Sequence, residues 1–308
     1  MRGQVKLPLT PAYGFGFERR SLALALRLLD ERPQLFTSAF REQARTLLGI
    51  GAVKVEALGR WAVCSGLMTP AGQGHQLSSL GHVVASFDPS LEEIGTWWLI
   101  HESLTRRHEP WGWYTCEFLR TSFSMAELDE GIKASFEIKS DRAVQNARRA
   151  LVAAMTRTPL GPELGLMVES SQGLFERRPT DPATVNPALV GYAVMSWART
   201  GRRLTANTEE LLVDRGPGVV LGLTRSSLDV LLEQAEDRYR EEVLWASHTA
   251  GLNSVAFSEE TQPLHLVDAY YLERLEGREP YAALQYARTE GLSARLLATA
   301  NSGASANG

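Results

Sequence analysis

The stretch from Phe40 to Leu80 constrains this chain more than any other. Phe40 to Leu48 reads as a first helix, Gly49-Ile50-Gly51 as a tight turn, and Ala52 to Ser65 as a second helix closed by Gly66. Two helices that cross steeply need a short turn in which one residue takes positive φ, and glycine does so cheaply. Val55, Leu58 and Ala62 follow the spacing of a buried face. Lys54, Glu56, Ala57, Arg60 and Trp61 fall off that stripe. Leu67-Met68 and Gln76-Leu77 then pair as a hairpin across Pro70 to His75, with Gly72, Gln73, Gly74 and His75 suited to an exposed tip. The pattern is a helix-turn-helix with a wing, which can lay its second helix in a DNA major groove. It predicts that Lys54 and Arg60 reach phosphates or guanine edges and that Gln73 and His75 act from the wing. Such units also serve as dimerisation or scaffold modules, in which case the two cations are an ordinary solvated face.

The charge distribution agrees with the first reading. The net charge of −4 argues against general coating of nucleic acid. Residues 1–80, however, carry 10 lysines and arginines against 5 aspartates and glutamates, while residues 161–308 carry 13 against 20. A basic beginning on an acidic remainder suits a protein that touches DNA at one end and other proteins at the other. No apolar run is long enough to span a membrane, and Met1 to Lys6 lacks the apolar core of a signal peptide. Two cysteines, Cys64 and Cys116, are too few for a disulfide framework or zinc site. Both are expected on helices as small buried residues. The cytoplasm is therefore the expected location.

The expected fold class is mainly α (α+β): an N-terminal winged helix-turn-helix over 1–89, an aromatic-rich helical middle domain over 90–200, an acidic α/β domain over 201–298 and a disordered tail over 299–308. Residues 1–16 are expected to be extended, running into Tyr13-Gly-Phe-Gly-Phe17, before a helix over Ser21 to Arg32. Phe87-Asp-Pro-Ser90 breaks the chain, with Ser90 as the cap of a helix over Leu91 to Arg107. Trp97, Trp98, Trp111, Trp113 and Tyr114 make an aromatic centre that is core rather than a base-stacking platform. Ser124-Met-Ala-Glu127 is a capping box, and an amphipathic helix follows from Ser140 to Thr156. Strands over Leu164–Val168 and Gly173–Arg178 form a second hairpin. Arg148, Arg149, Arg177 and Arg178 are either a second DNA-facing patch or a solvated charged surface. Farther on, helices are expected over Pro187–Arg199, Leu204–Leu212, Arg225–Glu241, Leu264–Leu275 and Pro280–Ala298, a buried strand over Val219–Leu223, and a loop over Leu244–Asn253.

Catalytic signatures are scarce. His101-Glu102 begins like a helical zinc-hydrolase motif, but Thr105 stands where its second histidine belongs. No Walker A loop, dinucleotide fingerprint or G-x-S-x-G elbow is present. His101, Glu102 and His108 are the candidates for a general base and a metal carboxylate in phosphodiester hydrolysis. The alternative is a satisfied histidine in an aromatic core. His248 and Asn253, bracketing Gly251, come next.

Several stretches together resemble a known family. They are Leu48-Gly-Ile-Gly51 with Val55 and Arg60-Trp61, then Leu80-Gly81, Trp98-Leu-Ile-His101, Gly112-Trp-Tyr114, Gly216-Pro-Gly218 and Thr249-Ala-Gly-Leu-Asn253. Their order and spacing, over roughly residues 13–275, resemble the SspB-like family of DNA phosphorothioation (sulfur modification) and phage-defence systems. The resemblance implies a component that nicks or engages double-stranded DNA for a sulfur-transfer machinery. It implies as partners a cysteine desulfurase, an ATPase and a reductase-like sulfurtransferase. Phe17-Glu18-Arg19-Arg20 stands where the family often has a His-Glu-Thr-Phe-like run, and Ala52-Val53 where it often has Lys-Asn.

The combined expectation is a DNA-binding, DNA-nicking subunit. Lys54, Arg60, Gln73 and His75 dock DNA, and Arg19, Arg20, Arg41 and Arg45 add phosphate contacts. His101 and Glu102 are the catalytic candidates. A Mg or Mn ion with unassigned ligands is expected for hydrolysis, and no organic cofactor. The protein pairs with DNA, the sulfur enzymes or a second copy of itself, not with a membrane. The competing readings are a non-catalytic DNA-binding adaptor for the sulfur-transfer enzymes and a winged-helix transcription regulator.

Overall fold

The computed structural model describes residues 14–171, 173–240, 242–249 and 252–305. It is mainly helical, with small antiparallel sheets, and divides into two compact units, 1–180 and 181–308. The divisions expected at 89 and 200 both fall inside these units.

The first unit begins with α1 (Arg19–Glu31), α2 (Arg41–Leu48) and α3 (Ala52–Cys64). Leu22, Leu26 and Leu29 bury the inner stripe of α1. Gly49 ends α2 with φ 65°, the left-handed conformation the turn requires. The stripe on α3 is Val55, Leu58 and Ala62 as the periodicity predicts, but Ala57 and Trp61 are buried too. This helix therefore packs on more than one side and leaves only a narrow strip exposed.

Strands β1 (Met68–Ala71) and β2 (Gly74–Leu77) pair antiparallel, with Pro70 opposite His75 and Ala71 opposite Gly74. The hairpin is thus tighter than the sequence reading, and only Gly72 and Gln73 lie at the tip. His75 belongs to β2: its backbone N–H donates to the carbonyl of Pro33 at 2.9 Å, and its ring meets Phe36 edge-on at 6.0 Å. Helix α4 (Ser79–Phe87) follows, with Ser78 accepting the N–H of Gly81.

Helix α5 runs Ile94–Arg107, three residues shorter at its start than expected. Leu91 has φ 54°, and the N-cap is Glu93, with no side-chain cap hydrogen bond, rather than Ser90; Asp88 holds the turn before the helix instead. The Asp88 carboxylate accepts the backbone N–H groups of Glu92 (2.7 Å) and Glu93 (3.0 Å) and the hydroxyl of Thr96 (2.7 Å). Every residue of α5 from Gly95 to Thr105 is buried, so it is a central core helix. Next come α6 (Glu109–Cys116), β3 (Ser122–Ser124), α7 (Met125–Ser135) and α8 (Asp141–Thr156). Both halves of the Ser124–Glu127 capping box form. Trp61, Trp97, Trp98, Trp111 and Tyr114 are fully buried, confirming the aromatic centre as core. Trp61 packs edge-on to Trp111, which binds α3 and the aromatic helices into one core. Strands β4 (Val168–Ser171) and β5 (Leu174–Glu176) join β3 in a sheet ordered β3-β5-β4.

The second unit contains α9 (Pro187–Thr200), β6 (Thr205–Asn207), α10 (Pro217–Val220), α11 (Arg225–Tyr239), β7 (Leu244–Thr249), β8 (Leu252–Phe257), α12 (Pro263–Glu276), α13 (Pro280–Thr289) and α14 (Leu292–Ser305). Several expectations are corrected here. Residues 204–212 form β6 and a 3-10 turn capped by Asn207, not a helix. Val219–Leu223 is no strand, because Pro217 starts the short α10 instead. Leu244–Thr249 and Leu252–Asn253, expected as loop, belong to the paired strands β7 and β8, with β8 central in the order β6-β8-β7. The expected last helix is two, broken at Gly291, where a Cβ would lie 2.5 Å from Oδ2 of Asp268. Helix α14 continues through most of the expected tail; residues 306–308, like Gly251 and the stretch before Gly14, lie outside the described residues.

Candidate nucleic-acid interface

The first unit holds a cleft of about 490 Å³ between the segment Gly14–Phe17, the first turns of α3 and the outer face of α8. Its ionisable lining is Lys54, Arg148, Arg149 and Arg157 against a single acid, Glu18. Arg148 pairs with Asp129 at 3.2 Å and Arg157 with Glu18 at 3.7 Å. Lys54 and Arg149 are exposed and have no ion-pair partner among the described residues. The Lys54 ammonium lies 5.9 Å from the ring centroid of Phe15, an exposed aromatic. Cations around an exposed aromatic are the arrangement that holds phosphates while a base or sugar packs on the ring.

Local sequence explains the shape. Gly16 lets the segment press onto α8; a Cβ there would lie 2.5 Å from the backbone nitrogen of Ala154. The indole N–H of Trp61 donates to the Phe15 carbonyl at 2.8 Å and fixes the segment to α3. The periodicity that buries Val144, Ala147, Leu151 and Ala154 turns Arg148 and Arg149 outward.

The structure therefore joins Lys54 to two of the four arginines that the sequence left ambiguous, and separates it from Arg60. Six helical residues apart, the two side chains diverge by about 120°. Arg60 pairs with Glu56 at 2.6 Å and faces a different cavity. Arg41 approaches the same glutamate at 3.8 Å, and Arg45 pairs with Glu42 at 2.5 Å. Arg19 and Arg20 are exposed at the start of α1, beside Glu18 at the cleft edge. Gln73 is exposed at the hairpin tip, whereas His75 is half-buried against Phe36. Arg177 donates to the carbonyls of Tyr114 and Thr115 and stacks at 4.3 Å on the Tyr114 ring, which makes it a structural clamp. Phe15 and Arg157 are not among the binding residues expected from the sequence; only the fold brings them beside α3.

The catalytic candidates are enclosed. His101 is fully buried and accepts the Trp111 indole N–H at Nδ1 (3.1 Å). Glu102 is buried and paired with Arg106 one turn on. His108 caps α6, accepting the Trp111 backbone N–H. Neither His101 nor Glu102 presents a face to a phosphodiester. Among the described residues no group of three or more histidine, cysteine, aspartate or glutamate side chains is gathered as a metal site requires, so the expected ion finds no fitting ligand set there. His248 and Asn253 are register partners in the β7–β8 hairpin.

This geometry sits on a fold that known proteins share. Residues 17–158 match the family described as a protein of unknown function, DUF4007. An SspB crystal structure superposes with a TM-score of 0.71 at 18% identity, covering 90% of this chain and 91% of that one. A magnesium ion-bound SspB crystal structure gives 0.69 at 19% identity, covering 91% and 95%. The chain has the SspB fold. The resemblance read from the sequence thus holds at the level of the fold, and the DUF4007 match falls on the part of the chain that contains most of the cleft. No curated protein matches. No helix of the described residues is long and apolar enough to cross a membrane.

Proposed function

We propose that the protein is a DNA-engaging component of a bacterial DNA phosphorothioation and phage-defence system, and that it holds DNA backbone in the cleft beside α3. The observation that carries this reading is that Lys54, Arg148, Arg149 and Arg157 line one cleft with the exposed Phe15, over whose ring Lys54 lies. Phosphate contacts supply most non-specific affinity and set the register of a bound strand. In this reading α2, its turn, α3 and the β1–β2 hairpin act as a winged helix-turn-helix. Val53 and Lys54 in the exposed first turn of α3 approach the DNA, as the beginning of a recognition helix does. The SspB fold supports the assignment to the sulfur-modification system. In this reading its partners are a cysteine desulfurase, an ATPase and a reductase-like sulfurtransferase.

The adaptor reading is the second, and the burial of His101 and Glu102 favours it over nicking by those residues. Supercoiled plasmid incubated with the protein, with and without Mg²⁺ or Mn²⁺, separates the two. Magnesium is commonly held through one or two carboxylates plus substrate phosphates, so the assay includes DNA from the start. Open-circle product identifies a nickase. Plasmid that is shifted in a gel yet stays supercoiled identifies the adaptor. Plasmid that is neither shifted nor nicked at protein excess contradicts the proposal.

A further inference from the structure

A second cavity, of about 390 Å³, lies on the other side of α3, between that helix, the hairpin and the end of α5. That volume is within the usual range for small-ligand pockets, about 300–1,000 Å³. Its walls are largely apolar: Phe36, Gly59, Val63 and Pro70. The lining also includes two histidines, His75 and His108, each with a buried ring nitrogen that has no hydrogen-bond partner, and the Glu56 carboxylate, which Arg60 neutralises.

The His108 tautomer follows from its contacts. Its Nδ1 accepts the Trp111 backbone N–H at 3.3 Å, and burial pushes the pKa down to about 3, so the ring is neutral. The single proton therefore sits on Nε2, leaving Nε2–H as an unused donor on a residue that is 3% exposed. Around the same cavity stand Arg60, already paired with Glu56, and Arg107, which is exposed and has no ion-pair partner among the described residues. Both guanidiniums act on the half-buried Cys64 thiol, although desolvation dominates and raises its pKa to about 11. A thiol kept protonated is a poor metal ligand.

These features select one ligand chemistry. Apolar walls that include the Phe36 ring, beside an unsatisfied buried donor, suit a planar heterocycle that carries an acceptor. An adjacent unpaired guanidinium calls for a phosphate. We propose that this pocket binds a nucleobase together with its attached phosphate, His108 Nε2–H donating to the base and Arg107 pairing with the phosphate. The base comes either from a free mononucleotide or from a DNA strand that has turned it out of the stack; only the second source rests on the DNA reading above.

Saturation-transfer NMR with dAMP, dGMP, dCMP and dTMP tests the pocket, and a duplex containing 2-aminopurine tests the source. At least one nucleotide is expected to show transfer. Val63→Phe, which fills the cavity, and Arg107→Glu, an exposed change that spares the core, are each expected to weaken it at least tenfold. Increased 2-aminopurine fluorescence in bound duplex assigns the base to DNA; nucleotide binding without it assigns a free nucleotide. No transfer from any of the four at millimolar concentration, or transfer unchanged in both variants, overturns the proposal. A gel shift on the same samples keeps the two claims apart: shifted duplex without nucleotide binding removes only the pocket, and nucleotide binding without a shift removes only the cleft.

Discussion

The indole N–H of Trp61 donates to the backbone carbonyl of Phe15 across 2.8 Å, 46 residues away in sequence. Through this bond the core side of α3 sets the position of the segment that walls the cleft on its outer side. The Trp61 ring is meanwhile held by Phe17 at 5.2 Å, His108 at 4.7 Å and Trp111 at 6.0 Å. Phe15 is thus presented by a rigid core rather than by a free loop.

Replacing Trp61 with Phe keeps most of the packing and removes the donor. Stability is expected to fall by roughly 1–3 kcal/mol, the scale of an unsatisfied carbonyl plus lost ring volume. DNA affinity is expected to fall severalfold with it. Urea unfolding and fluorescence anisotropy on a short duplex measure the two effects, and a variant with unchanged affinity would show that the cleft does not depend on Trp61.

Gly16 is the second support of that wall. A methyl group there meets the backbone of Ala153 and Ala154, which cannot yield as a side-chain tip can. Gly16→Ala is expected to cost about 1–3 kcal/mol, the usual range for overpacking. Its weakening of DNA binding should exceed that of Gly51→Ala, a position where nothing lies within 4 Å of the added Cβ. Equal effects at the two sites would argue that the segment is not pressed onto α8.

His101 and Glu102 provide a test of structure against catalysis. Because both are buried, His101→Ala is expected to lower stability by about 2–4 kcal/mol, as large-to-small core changes do. Binding should decline in parallel with folding. A stable His101→Ala protein that binds DNA normally but has lost plasmid nicking would restore His101 as a catalytic residue.

Two buried histidines make stability depend on acidity. Burial lowers the pKa of His108 to about 3; burial, aided by Arg288 and Arg199, lowers that of His265 to about 4. Both have an ordinary value of 6.5. Below that value the unfolded chain binds protons that the folded protein refuses, so stability falls as the pH drops from 6.5 towards 4. Urea midpoints at pH 7.5, 6 and 5 should decrease in that order. His108→Asn keeps an N-cap acceptor and cannot titrate, so its midpoint should change less with pH.

Much of the first unit was legible from the sequence, and the reasons are local. The Gly49 turn, the Val55–Leu58–Ala62 stripe, the Ser124–Glu127 box and the α8 face depend on residues within a few positions of one another. What failed depended on distant contacts. Trp61 looks exposed by periodicity but is claimed by Phe17 and Trp111. The Leu244–Asn253 run looks like a loop because Trp245 and His248 interrupt its pattern, yet β8 pairs with it and also with β6. The candidate site was half legible. Lys54 was visible as a cation off the buried stripe, whereas its grouping with Arg149 required the fold to bring α3 and α8 to one cleft. His101-Glu102 stood out only because histidine and glutamate are chemically versatile; α5 uses them inside the core.

The most direct measurement is the salt dependence of duplex binding by the parent protein and by Lys54→Ala/Arg149→Ala. Removing one cation from a phosphate should reduce the slope of log K against log salt by about 0.9. If DNA lies in this cleft, the double variant binds more weakly at every salt concentration, with a slope shallower by about 2. Its unfolding midpoint stays unchanged because both side chains are exposed. Parent-like affinity and slope in the double variant would contradict the placement of DNA in this cleft.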